Sequence, residues 1–146
     1  MTSTHSTSDR YDLERFVKAQ ARVFDQVCAE LRAGEKRSHW MWFVFPQVKG
    51  LGSSEMARRY AISSLDEARA YLQHPLLGSR LEECTRLVNA VQGRTLEQIF
   101  HQPDSMKFHS SMTLFAHAAP DRKIFREALA KYCNGALDPK TMDQLR

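Results

Sequence analysis

Eleven residues, Arg37-Ser38-His39-Trp40-Met41-Trp42-Phe43-Val44-Phe45-Pro46-Gln47, hold both tryptophans of the chain, two phenylalanines and a proline. A solvated loop has no use for so much apolar area, so the run predicts either core or the wall of a cleft. Ser38 and His39 stand at one end and Gln47 at the other. Ser38 reads as an N-cap and Pro46 as a stop, so a short helix is expected between them.

The punctuation elsewhere is also helical. Leu13, Phe16, Val17, Phe24, Val27, Cys28 and Leu31 recur at steps of three and four, which predicts one amphipathic helix of about five turns, capped by Asp12 and ended by Gly34. A flexible loop is expected from Gln47 to Ser54, then a short helix. Ser64-Leu65-Asp66-Glu67 and Thr95-Leu96-Glu97-Gln98 have the spacing of capping boxes. Helices ending at His74-Pro75, Gly93, Pro120 and Gly135 follow, and Asp104, Asp121 and Asp138 are placed to open helices. No segment alternates as a half-buried strand would. The fold class expected is all-α, a compact single domain of about seven or eight helices over 12–146, with a disordered polar tail at 1–11.

Composition narrows the function classes. With 146 residues, 42% hydrophobic and 26% charged, the chain can bury a core without staples. The cysteines, Cys28, Cys84 and Cys133, are three in number and widely spaced, which predicts free thiols in a reducing compartment. No stretch approaches the ~20 apolar residues of a membrane span, and the first residues lack the apolar centre of a secretory signal. A soluble, cytoplasmic protein is therefore expected. The net charge of +4 is scattered along the chain and not gathered in a stripe, which argues against nucleic acid as the principal partner.

The same residues carry a resemblance. The Arg37–Gln47 run followed by Gly50-Leu51-Gly52 resembles the signature of a bacterial family designated domain of unknown function 1810. The similarity continues through Tyr60-Ala61-Ile62, Glu67-Ala68, Tyr71-Leu72, His74-Pro75, Gly78-Ser79-Arg80-Leu81 and Pro103-Asp104. It resumes at Lys107 with Ser110-Ser111-Met112-Thr113-Leu114-Phe115, and closes with Asp138 and Thr141. It spans about residue 12 to the C-terminus. It implies a mainly α-helical protein and no assigned activity. Some members of the family carry the name calpastatin, a protease inhibitor; inhibitors of that kind are disordered, whereas this chain has the composition and caps of a packed domain.

Two segments are candidates for chemistry. His39, beside Trp40 and Trp42, can orient a ligand or move a proton near neutral pH. Lys107, Ser110 and Ser111 stand at i, i+3 and i+4, with Asp104 one turn earlier, so a cation and two hydroxyls share a helix face able to hold a phosphate or carboxylate. The plainer alternative for both is structural: a histidine satisfied by backbone, aromatics in the core, and a polar stripe seating a helix. A metal site is not expected, because His109 and His117 would lie about 12 Å apart along one helix and no ligand spacing recurs. No cofactor is called for. Gly50-Leu51-Gly52-Ser53-Ser54 precedes a helix but matches no phosphate-loop fingerprint.

The reading that unites these features is a pocket for a small anionic ligand, phosphorylated or nucleotide-like, formed by the 37–54 and 104–113 segments. His39 and Lys107 are the candidate catalytic residues. Ser38, Trp40, Trp42, Gln47, Asp104, Ser110, Ser111 and Thr113 are the candidate binding residues. The alternative is a non-catalytic protein-interaction module in which these residues are scaffold, and a third is a weak nucleic-acid binder. Monomer and homodimer are equally compatible with the sequence.

Overall fold

In the computed structural model, residues 9–146 are described, and among them there are ten helices and no β-strand. They are α1 (Glu14–Ala21), α2 (Phe24–Arg32), α3 (Met41–Val44), α4 (Glu55–Arg59), α5 (Leu65–Gln73), α6 (Leu77–Ala90), α7 (Leu96–Phe100), α8 (Asp104–Ala118), α9 (Lys123–Cys133) and α10 (Pro139–Gln144). A single parallel bridge joins Val48 to Ile62. Most of the expected tail lies outside the described residues. The Asp9 carboxylate accepts the amides of Leu13 and Glu14, and Asp12 sits at φ 53°, so the opening cap is Asp9 and not Asp12.

The helix count exceeds the expected one chiefly because the first long helix is broken. The Val23 amide donates to the carbonyl of Gln20 at 3.1 Å, a three-residue closure that ends α1 and re-aims the chain. The break lets α1 pack against α3 while α2 packs against α6, two directions that one straight rod could not serve.

Local cap chemistry sets most other boundaries. Ser54, Ser64, Thr95 and Asp138 each accept an amide of their helix's first turn. Thr95 and Gln98 complete a reciprocal capping box. Ser64 and Glu67 do not: the buried Glu67 carboxylate takes the Ser63 amide and hydroxyl at 2.8 and 2.7 Å and pairs with Arg15 at 3.0 Å. Arg15 also donates to the carbonyls of Arg59 and Ala61, so this pair ties α1 to the chain entering α5. Gly78 admits a close crossing, since a Cβ there would stand 2.1 Å from the carbonyl oxygen of Leu72. All three cysteines are free, with Cys28 and Cys84 buried.

The fifteen-residue α8 is the central rod, packed by α5, α7, α9 and α10 and buried nearly all round. Phe108 is the junction of its N-terminal half: its ring stacks on Phe100 at 4.9 Å and meets Phe45 edge-on at 5.0 Å. Trp40 reaches this cluster through Phe45 at 6.3 Å. The Trp-rich run therefore lies over the start of α8, which brings two segments distant in sequence to one face.

Candidate functional site

The chain between α2 and α3 is held open by one buried carboxylate. Glu30 lies among the apolar positions of α2 and is 7% exposed. It accepts the amides of Arg37 and Ser38 at 2.8 and 3.2 Å, the Ser38 hydroxyl at 2.7 Å and the Trp40 indole N–H at 2.9 Å, and Gln26 adds a fifth donor at 3.0 Å. Burial by itself would raise its pKa; the Arg37 amide and the Ser38, Gln26 and Trp40 side chains outweigh it and hold the group at about 2. Ser38 thus serves Glu30 and does not cap α3, whose N-cap position is Trp40, without a side-chain cap. The chain cannot wind into helix until these donors are spent, and α3 is correspondingly a single turn.

The Lys36 amide donates to the carbonyl of Ile99 at 2.7 Å, docking this segment on α7. Between them opens a cleft of about 430 Å³ lined by residues 36–39, Met41, Trp42, residues 100–104 and Lys107. Its centre is an ion cluster. Lys36 Nζ lies 2.9 Å from Asp104 Oδ2, and Lys107 Nζ lies 3.6 Å from Asp104 Oδ1. The three side chains are only 7%, 18% and 22% exposed, so solvent screens them weakly. Each ammonium also lies over an indole: Lys36 over Trp40 at 5.1 Å and Lys107 over Trp42 at 5.4 Å. With Arg37, the lining carries three permanent cations against one carboxylate.

Two histidines complete the rim. His39 is exposed at the mouth. His101 has φ 66° and ψ 163°, a backbone region comfortable only for glycine, and its ring is 3.8 Å from Glu35. Asp104 follows the chain reversal at Gln102-Pro103 and lies in the first turn of α8. The sequence places Asp104 to cap that helix; in the structure Pro103 holds the cap position, and the Asp104 carboxylate faces the two lysines instead.

The cleft therefore takes in Ser38, His39, Trp42, Asp104 and Lys107 from the sequence-flagged residues, with Trp40 beneath it. The remainder of the flagged segments lies elsewhere. The Gln47 carbonyl accepts the Ile62 amide at 2.9 Å, and the chain turned by this pairing carries Gln47, Gly50 and Gly52 to a separate hollow of about 330 Å³ beside Gln144. Ser110 donates to Asp138 at 3.1 Å and Thr113 accepts the Asp138 amide at 2.9 Å. Ser111 is wholly buried. Helical rotation carries Ser110 and Thr113 past the cleft edge into the contact with the α9–α10 connection and turns Ser111 into the interior, so the pocket is narrower than the 37–54 and 104–113 span. Lys36, Glu30 and His101 stand in no motif or spacing that marks them as site residues in the sequence. Glu30 left one faint signal, an acid between Val27 and Leu31 on an apolar stripe; Lys36 left none.

Among the described residues, no group of three or more histidines, cysteines or acids is placed to hold a metal, and no helix is long and apolar enough to cross a membrane.

An all-helical domain whose Trp-rich segment and central helix enclose a lysine-rich cleft is the architecture defined so far. The chain belongs to the family described as protein of unknown function (DUF1810), whose model matches residues 10–145. It is similar to a solved structure, the conserved hypothetical protein Rv1873 from Mycobacterium tuberculosis, with 62% identity over 92% of this chain and 96% of that one and a TM-score of 0.91. No curated protein matches it.

Proposed function

We propose that the cleft between residues 36–42 and 100–107 binds a small anionic ligand. The observation that carries this reading is the imbalance of charge around Asp104: one carboxylate faces two poorly exposed ammonium groups, with Arg37 beside them. Poorly screened positive charge in a concave, aromatic-walled site favours an incoming anion. The cleft volume suits a phosphorylated metabolite or nucleotide better than a macromolecule. In this reading Lys107 is the principal anion contact, Trp42 offers its indole to a ring, and His39 at the mouth orients the ligand or exchanges a proton with it. Ser38 and Trp40 act indirectly, through Glu30.

The test is a thermal-shift screen of the whole chain against nucleotides, sugar phosphates, inorganic phosphate and pyrophosphate. A ligand at a hundred times its Kd stabilises by about 2.7 kcal/mol. A compound that raises the melting temperature of the wild type but not of Lys107→Met supports the reading. A shift of equal size in both places the ligand elsewhere, and a flat response to every phosphorylated compound at millimolar concentration refutes anion binding.

A further inference from the structure

A second hollow, of about 640 Å³, opens between the 93–97 segment, the start of α8 and the end of α9, and shares no lining residue with the lysine-rich cleft. Two cations border it, Arg94 and Lys131. Both are pinned by backbone carbonyls. Arg94 donates from Nε to Gly34 at 2.8 Å and from Nη2 to Gln98 at 2.9 Å. Lys131 Nζ donates to Asn89 and to Val91, each at 2.6 Å. These carbonyls fix both groups in place but supply no negative charge. Among the described residues neither cation forms an ion pair. Each keeps a donor in reserve, Nη1 of Arg94 and the third ammonium N–H of Lys131. Lys131 is tied to residues 89 and 91, so its charge stands beside the turn that carries Arg94.

The remaining lining is mixed. Leu96, Met106 and Tyr132 give it apolar surface, and Met106, 58% exposed, is a soft and adaptable wall. Ser105 borders the hollow from α8; it is 3% exposed, and its hydroxyl has no hydrogen-bond partner in the protein. A buried hydroxyl left in this state is costly unless something outside the fold satisfies it. His109 is committed to the fold, its Nε2 donating to the Ala136 carbonyl at 2.8 Å. Glu97 is the one carboxylate of the lining; it is exposed, and Gln102 donates to it at 3.4 Å.

From this arrangement we infer that the hollow is a second binding site, for small carboxylates that carry an apolar or aromatic body. The ligand's carboxylate takes the reserve donors of Arg94 and Lys131, which are already held in place and lose little freedom on binding. Its apolar body lies on Tyr132 and Met106, and one of its oxygens accepts from Ser105. Glu97 repels any anion and so weakens the site. Two cations outweigh that one exposed carboxylate, and the balance still favours an acid over its neutral amide. The site stands apart from anion binding in the lysine-rich cleft, and neither reading depends on the other.

The probes are phenylacetate and its neutral isostere phenylacetamide, titrated at about pH 7.5, where the acid is ionised. Binding is read from the Met106 methyl resonance of protein isotopically labelled in its methionine methyls, assigned through Met106→Leu. The acid should shift this signal saturably and bind about tenfold tighter than the amide. Lys131→Gln, which keeps a donor for the two carbonyls and removes the charge, should weaken the acid about tenfold and leave the amide unchanged. Glu97→Gln should act in the opposite direction, tightening the acid about threefold without moving the amide. Ser105→Ala should weaken the acid and leave the melting temperature no lower, because no bond within the fold is lost. Lys107→Met, in the other cleft, should change nothing. Equal affinities for acid and amide overturn the inference, as does an acid affinity that none of the three lining variants moves, or one that Lys107→Met abolishes. So does the absence of a saturable Met106 shift at about 20 mM acid. Should Lys131→Gln fail to fold, Glu97→Gln decides the matter, since it alters only an exposed side chain.

Discussion

The indole N–H of Trp40 donates to the Glu30 carboxylate at 2.9 Å, and both residues are almost fully buried. Five donors converge on that carboxylate, four of them from residues 37–40, with Ser38 contributing twice, and the fifth from Gln26. Glu30→Gln keeps the shape but sets an amide N–H₂ against donors, and Glu30→Ala leaves them unpaired. We expect losses of about 3 kcal/mol for either, measured by urea denaturation.

The same carboxylate gives a pH dependence of definite sign. Its pKa is about 2 in the folded protein against an ordinary 4.5, so folding favours the charged form. Its contribution, on the order of 3 kcal/mol, is complete above about pH 4.5 and is lost as the pH falls toward 2. The wild type should therefore lose stability across that window more steeply than Glu30→Gln. Parallel acid-denaturation curves for the two would contradict this.

His39 and Lys107 should be nearly silent in stability. His39 is exposed, and the Lys107–Asp104 distance of 3.6 Å marks a loose pair on a partly exposed side chain. His39→Ala and Lys107→Met should each change the unfolding free energy by no more than about 0.5–1 kcal/mol. A larger loss at either position, seen as a melting temperature lowered by many degrees, would mark it as scaffold and favour the interaction-module alternative.

Phe108 should behave oppositely. It is fully buried and touches Phe45 and Phe100, which join the Trp-rich run to α7 and α8. Phe108→Ala should cost about 3–5 kcal/mol. It should also loosen the cleft floor, visible as a change in Trp42 fluorescence in the folded state.

Gly78→Ala tests the α5–α6 crossing. The new methyl would stand 2.1 Å from a backbone oxygen, which cannot swing aside as a side chain would. The two helices must separate, and we expect a loss on the order of 3 kcal/mol. Gly93→Ala meets no neighbouring atom and tests only the φ of +70° there, for a smaller loss of about 1 kcal/mol.

The sequence by itself determined the helical class, most helix boundaries and the fate of the Trp-rich run as buried wall. These are local properties: a Thr95–Gln98 box, an Asp138-Pro139 start and a left-handed Gly34 or Gly135 each act within a few residues of chain. It also marked Lys107 and Asp104 as a pair, because helical spacing alone brings them together. Tertiary structure decided the rest. The break at Val23 satisfies two packing partners that no window of α1 and α2 contains. Lys36 meets Asp104 only because its amide docks on Ile99, and Ser110 and Thr113 turn from the cleft because Asp138 claims them. Apolar periodicity reports which residues are buried, but it says nothing of which buried groups face one another, and the charge balance of the cleft depends on that second fact.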